Sequence, residues 1–329
     1  MHLSDVRLAA IEAQLPLLKS MHVTWVVVAD GSEENIGRAT FRLAQEGIMV
    51  IARPDRKING GADFGWLASR CGTKYNIIYN EFGDEREWRG DRRPRNWWEV
   101  SVNNWIAQAH KVRARGCYPG LQILSARRTT EEESHTTLWD FLTEMKQRGE
   151  ESLWEDMFLA LHLYPRVGCP PEARCHEDDA LAFLDYAEVC KEIMGFIPPI
   201  MVTEWAWAPS QAPPDVRAKY VTEVFNWFRT GRLSNGQSLP DYLFAFFYWI
   251  VGDGQWYGWS LDRNPDHWPV RDAIKAMPKF ERGKPGPSIP PEEPRDWRVV
   301  SPWMMEAEAL KDSARLGILG FNHYKLERR

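Results

Sequence analysis

Seven short apolar runs, rich in β-branched and aromatic residues, recur along the chain: 22–30 (HVTWVVVAD), 48–54 (IMVIARP), 75–83 (YNIIYNEFG), 121–126 (LQILSA), 157–165 (MFLALHLYP), 200–207 (IMVTEWAW) and 243–252 (LFAFFYWIVG). Such near-continuous hydrophobicity is that of strands buried on both faces of a parallel sheet. Between the runs the apolar positions change to helical spacing. The stretches 38–47, 178–195 and 216–231 each end in a glycine (Gly47, Gly195, Gly231), the residue that most readily stops a helix. The pattern also predicts helices at 6–15, stopped by Pro16, and at 270–276.

Successive runs start 26 to 46 residues apart, the repeat of a βα unit. Seven such units, with a stub of a first strand at 2–4, predict a (β/α)8 TIM barrel, a fold that takes ~250 residues. No Gly-rich phosphate turn follows any run, which weighs against a doubly wound dinucleotide fold. The barrel is expected over 1–282, followed by a Pro/Gly-rich linker at 283–296 and an extension at 297–329. Two placements suit the extension. It packs on the barrel's exterior, or its apolar run at 317–322 completes the sheet beside the short first strand.

Composition narrows the class. Apolar residues make up 44% and charged residues 26%, which excludes disorder, collagen and coiled coil as the architecture. A net charge of −5 argues against a nucleic-acid partner, whose binding rests on neutralising phosphates. The longest apolar run, 243–251, is far short of the ~20 residues of a membrane span, and no leader-like segment opens the chain. If Met1 is the natural start the protein is expected in the cytoplasm; if the chain is a piece of a longer one, it is expected to be secreted. Five cysteines are too few for a disulfide scaffold, although Cys169 and Cys175 lie close enough to pair or to stay free. With His176 and Glu177 they form the nearest approach to a zinc motif, but a second spaced pair is missing. Neither an H-E-x-x-H nor a G-x-S-x-G sequence occurs, so no metal and no other cofactor is expected. Tryptophan is over-supplied at 17 residues, and its flat apolar face suits a sugar ring, so an oligo- or polysaccharide is the expected partner.

In (β/α)8 enzymes the site lies at the C-terminal ends of the strands. Those ends carry Arg53-Pro54 (third in barrel order), Tyr79-Asn80-Glu81 (fourth), His162-Leu163-Tyr164 (sixth), Thr203-Glu204-Trp205 (seventh) and Trp249 (eighth). Two glutamates on opposite strands can face each other across the mouth. Cleaving a glycosidic bond needs such a pair: one carboxylic acid to protonate the leaving oxygen and one carboxylate on the other face of the sugar. The acid is then expected to be held protonated and the partner ionised.

Asn-Glu on strand four, His-x-Tyr on strand six, Glu on strand seven and Trp on strand eight together resemble clan A of the glycoside hydrolases, nearest family 5, over about residues 1–280. The resemblance implies a retaining hydrolase of β-linked glycans, with Glu81 as acid/base and Glu204 as nucleophile. It also implies that Asn80 holds the sugar 2-hydroxyl, that Tyr164 donates to the nucleophile and that His162 lies beside the acid/base. Trp249 would floor the sugar site, and Arg53 is the candidate to brace the nucleophile. Where the clan commonly has Pro after Asn-Glu, this chain has Phe82-Gly83. Further binding surface is expected from Trp205, Trp207 and Trp256, with Tyr257, Trp259, Trp88, Trp97 and Trp98 nearby; Trp97 and Trp98 fit a helix as well. The basic stretch 89–95 reads as a solvated loop or as a seat for an acidic sugar. Endo action on a polysaccharide is expected from the aromatic loops. The alternative is a carbohydrate-binding barrel of the same descent without turnover.

Overall fold

The computed structural model describes residues 1–123, 125–127, 137–165, 168–175, 179–207, 210, 212–252 and 257–278. Eight parallel strands form one sheet in chain order: β1 (His2–Leu3), β2 (Trp25–Asp30), β3 (Met49–Pro54), β4 (Tyr75–Ile78), β5 (Tyr118–Gln122), β6 (Phe158–Leu163), β7 (Ile200–Trp205) and β8 (Leu243–Tyr248). Eight helices alternate with them: α1 (Leu8–Ser20), α2 (Glu33–Ala44), α3 (Phe64–Cys71), α4 (Trp97–Arg113), α5 (Leu138–Gln147), α6 (Phe183–Met194), α7 (Pro214–Thr230) and α8 (Trp268–Ala276). The fold is the (β/α)8 barrel.

The first strand is as short as the sequence suggested, and it closes the barrel. His2 and Leu3 pair with Val27 and Val28 of β2. On the other side Val251 donates its N–H to the His2 carbonyl at 3.0 Å, and Leu3 bridges to Val251. The position beside β2 is thus taken by β1. The run 317–322, with the linker 283–296 and the rest of 297–329, lies outside the described residues.

Two apolar clusters follow from strand alternation. Val27, Ile51, Tyr75, Ile77, Phe158, Ala160, Met201 and Phe247 form the inner one, filling the barrel. Their strand neighbours, such as Val26, Val28, Ala52, Leu159, Leu161 and Val202, pack outward against the helices. Of the boundaries that differ from the sequence expectation, two have a plain packing cause. Helix α1 runs through Pro16 rather than stopping there, because Ile11, Leu15 and Leu18 keep one buried face continuous across it and offset the lost backbone bond. Strand β5 begins earlier, at Tyr118-Pro119-Gly120, where the sequence resembles a turn. Gly120 belongs there because the Phe158 ring fills the space of a side chain: a Cβ would come within 2.5 Å of it.

Cys169 and Cys175 form a disulfide, while Cys71, Cys117 and Cys190 are buried thiols. Among the described residues no helix is long and apolar enough to cross a membrane.

Candidate active site

Alternation delivers three of the site residues directly. On β3, Ile51 points into the barrel, so Arg53 does too, one level higher. On β6, Phe158 and Ala160 point inward, and the same period brings His162 and then Tyr164 to the mouth.

The two glutamates depend on breaks in that period. Strict alternation along β7 from Met201 would turn Thr203 and Trp205 inward and Glu204 out. Instead the register with β6 slips by one, Leu161 facing Val202 and His162 facing Glu204. Thr203 is the extra residue, its hydroxyl donating to the Leu161 carbonyl at 3.3 Å. This bulge turns Glu204 into the barrel and Trp205 out toward Phe225 and Phe246. After β4, Tyr79 adopts φ 60° and Glu81 φ 20°, left-handed conformations that cost a non-glycine residue of order 1 kcal/mol or more. The turn buries the Tyr79 ring against Phe64 and Phe82 and leaves Asn80 and Glu81 at the mouth. Gln122 of β5, fully buried, accepts the backbone N–H of Glu81 and so holds the turn.

The side chains that meet there form one network. Glu204, 5% exposed, takes a hydrogen bond from Tyr164 Oη on Oε2 at 2.5 Å and an ion-paired bond from Arg53 Nη1 on Oε1. His162 Nδ1 lies 2.8 Å from Glu81 Oε1 and 3.5 Å from Glu204 Oε2. Arg53 Nη1 also donates to Asn80 Oδ1 at 3.2 Å, and Asn80 Nδ2 donates to Glu87 Oε1 at 3.1 Å. Trp249, mostly buried, stands beside the Arg53 guanidinium, 5.9 Å from its ring centre, and packs on His2 at 4.2 Å between ring centres. One carboxylate oxygen of Glu81 and one of Glu204 lie within 4.8 Å of each other.

Electrostatics follow from burial and these contacts. For Arg53 burial disfavours the charge, yet the Glu204 carboxylate outweighs it and the guanidinium is held above its ordinary value. Burial raises Tyr164 far above the usual phenol range and the Glu204 charge raises it further, so its hydroxyl keeps its proton and donates. Glu81 departs from the expectation of a protonated acid. Burial pushes it up, but the bond to His162, the His162 charge and Arg53 together outweigh burial, leaving the carboxyl below its ordinary value. Glu87 is shifted the other way, raised chiefly by burial against the bond from Asn80 and the Arg53 charge. Glu81, His162 and Glu204 could offer three ligand atoms to a metal. The donor set does not suit a divalent cation, since a guanidinium already holds Glu204 and would repel a second positive charge beside it.

The structure thus brings together Arg53, Asn80, Glu81, His162, Tyr164, Glu204 and Trp249. It does not bring Trp205 or Trp207 to the mouth. Both are buried, at 0% and 1% exposure, packed on one another and on Phe225 and Tyr220. The bulge at Thr203 is the reason Trp205 faces the helices, and neither indole has a free face for a sugar. Trp88 is likewise fully buried, its indole donating to the Phe82 carbonyl at 3.1 Å. Trp97 and Trp98 belong to α4. Trp259 packs edge-on against Tyr164 at 5.7 Å, and Tyr257 is half-exposed. Trp256, His176 and Glu177 lie outside the described residues. In the basic stretch 89–95, Arg93 donates to the Gly83 carbonyl and stacks on Trp97, while Arg89 donates to the Gly60 carbonyl, so two of its cations brace loops.

Three site residues were not foreseen. His2 is fully buried, with Nε2 3.6 Å from Glu204 Oε1, and it arrives only because β1 closes the barrel there. Gln122 and Glu87 reach the site from the C-terminal end of β5 and from the loop after β4. A polar residue in an apolar run is a signal for Gln122; nothing in the pattern marks His2 or Glu87.

No family model and no curated protein matches the chain. Similar solved structures include the 3-keto-D-glucoside 4-epimerase YcjR from E. coli, at 10% identity and TM-score 0.45 over 83% of this chain and 96% of that one. Another is Saccharomyces cerevisiae Gas2p in complex with laminaritriose and laminaritetraose, at 14% identity and TM-score 0.47, where 83% of this chain spans 60% of that one. A third is the endo-β-1,4-mannanase from Thermotoga petrophila, at 12% identity and TM-score 0.46 over 80% of this chain and 72% of that one. The likeness is one of barrel architecture. Any chemistry rests on the residues at the mouth.

Proposed function

We propose that the protein is a retaining glycoside hydrolase acting on a β-linked glycan, with Glu204 as nucleophile and Glu81 as acid/base. The observation that carries the reading is the pair of glutamates, with oxygens within 4.8 Å across one barrel mouth. That spacing is nearer the ~5–5.5 Å of carboxyl pairs in retaining enzymes than the ~6.5–9.5 Å of inverting ones. In this reading Glu204 Oε attacks the anomeric carbon while Glu81 gives its proton to the departing glycosidic oxygen, leaving a glycosyl ester on Glu204. Glu81, now a carboxylate, takes a proton from water, which attacks the same carbon and releases Glu204. Arg53 and Tyr164 orient the nucleophile through both its oxygens. Asn80 holds the sugar 2-hydroxyl, and Trp249 lies under the ring. Burial is the largest single influence on Glu81. A sugar that closes the mouth adds to it and moves the carboxyl toward the protonated form the first step requires.

The test is a panel of β-glucans, mannans, xylans and galactans assayed for new reducing ends, with a parallel fall in viscosity marking endo action. The wild type is expected to cleave at least one. Glu81→Gln and Glu204→Gln are each expected to lose activity by about 10²–10⁴-fold or more. Full activity in both variants overturns the reading.

One observation favours a second reading, a barrel that binds sugar without turnover: His162 and Arg53 hold Glu81 toward its ionised form. That reading expects saturable sugar binding, no reducing ends, and little change in affinity in Glu81→Gln.

A further inference from the structure

Asn80 sits between an acceptor and a donor. On one side is the Glu87 carboxyl oxygen, 3.1 Å from Asn80 Nδ2; on the other is Arg53 Nη1, 3.2 Å from Asn80 Oδ1. A guanidinium has only donors to offer, and an ionised carboxylate has only acceptors. Only one orientation of the Asn80 amide satisfies both. Turned over, its NH2 would face the Arg53 N–H groups and its oxygen would face Glu87, leaving four like groups opposed.

Glu87 is itself held in place from both sides. It ends a short 3-10 turn, Glu85–Glu87, opened by Asp84, whose carboxylate accepts the Arg86 N–H at 2.8 Å. Ile58 donates its N–H to the Glu87 carbonyl at 2.9 Å, tying the turn to the loop after β3. The next residue, Trp88, is fully buried and closes the loop onto Phe82 through its indole N–H. Asp84 donates its N–H to the Glu81 carbonyl at 2.8 Å. The loop that follows Asn80-Glu81 therefore folds back and returns a third carboxyl to the residue before the acid/base.

We propose that Glu87 is a positioning residue, fixing Asn80 so that its oxygen faces Arg53 and its second amide hydrogen is aimed at the sugar 2-hydroxyl. This rests on the hydrolase reading and adds to it. Glu87 touches no reacting atom; it acts through Asn80, and through Asn80 on the cation that holds Glu204. Hydrogen bonds to the 2-hydroxyl strengthen as the oxocarbenium-like transition state forms. A misoriented Asn80 should therefore lower kcat more than it raises KM.

The experiment compares Glu87→Ala, Glu87→Gln and wild type on an aryl β-glycoside that the wild type cleaves and on its 2-deoxy counterpart. Glu87→Ala is expected to lose about ten- to a hundredfold in kcat/KM on the parent glycoside, the worth of a charge-assisted bond. Glu87→Gln keeps an acceptor for Asn80 and is expected within about threefold of wild type. On the 2-deoxy glycoside the Glu87→Ala deficit is expected to shrink to about threefold or less, because the bond being aimed is already missing. A deficit of equal size on both glycosides, or a Glu87→Gln variant as impaired as Glu87→Ala, overturns the proposal. A crystal structure of Glu87→Ala reads the positioning without activity. Asn80 leaving Arg53 supports it, and Asn80 unmoved overturns it. A wild type that cleaves no β-glycoside overturns the hydrolase reading instead, and the variant structure still decides what Glu87 does to Asn80.

Discussion

Replacing Tyr164 with Phe removes a single atom from the network around Glu204. The ring stays supported, because its edge-on packing against Trp259 at 5.7 Å does not use the hydroxyl. What is lost is the bond from Tyr164 Oη to Glu204 Oε2, whose 2.5 Å length is that of a hydroxyl donating to a carboxylate. Burial and the Glu204 charge keep that hydroxyl protonated, so it donates throughout the pH range in which an enzyme would be assayed. Its loss leaves Oε2 with His162 Nδ1 at 3.5 Å, beyond a good hydrogen bond. A bond to a charged group is worth about 1.5–3 kcal/mol, so a nucleophile that depends on it for position should lose roughly 10–150-fold in rate. Steady-state release of phenolate from an aryl β-glycoside measures kcat and KM separately. The expected result is a fall carried mainly by kcat, with the thermal midpoint within a few degrees of wild type. A Tyr164→Phe variant within about threefold of wild type in kcat/KM would refute the claim that this bond orients Glu204.

Two further predictions concern protons. In His162→Phe the bond and charge from His162 that pull Glu81 down are gone, and the burial that raises it is opposed by Arg53 alone. The acid form of Glu81 then persists to higher pH, and the alkaline limb of kcat/KM is expected to move up; a limb that stays or moves down contradicts the assignment of Glu81 as the acid. The second concerns His267, fully buried, which accepts from Tyr248 Oη on Nδ1 at 2.8 Å and donates from Nε2 to the Gly258 carbonyl at 3.0 Å, with Arg217 Nη1 3.1 and 3.3 Å from its two ring nitrogens. Burial, then Arg217, lowers it from 6.5 to about 4. The folded form refuses a proton that the unfolded chain accepts below pH 6.5, so stability is lost as pH falls from there to about 4, by about 3 kcal/mol in all. Denaturant unfolding at pH 7 and pH 4.5 should show His267→Gln less stable at pH 7 but with a shallower acid loss than wild type. Equal acid losses in the two proteins would rule His267 out as the source.

Much of the site was legible in the one-dimensional pattern, and the exceptions share a cause. Arg53, His162 and Tyr164 stand at strand ends in phase with the inward residues before them, so alternation alone places them. Glu81 and Glu204 were also located, but by their chemistry and resemblance. In strict alternation Glu204 would face the helices, and the bulge at Thr203 that turns it inward leaves no mark in composition. The same bulge puts Trp205, which the pattern places at the mouth, against the helices: moving one residue of a strand exchanges the faces of everything after it. Trp88 and Trp207 are buried where the pattern allows either place, since an indole beyond a strand end is equally able to cover a core or a cleft.

By itself the sequence determined the barrel, through the spacing of its apolar runs, and the supply of acids, bases and aromatic rings at the strand ends. Both are local properties, set by which neighbours along the chain are apolar and where a strand stops. Tertiary structure alone decided which of those groups meet. His2 reaches Glu204 because β1 fills the last place in the sheet, Gln122 holds the Glu81 turn from the neighbouring strand, and Glu87 returns to Asn80 on a loop closed by Trp88. The first two contacts join residues far apart in sequence, at distances set by closing the sheet into a barrel. The third depends on how one loop folds back on itself once Trp88 is buried.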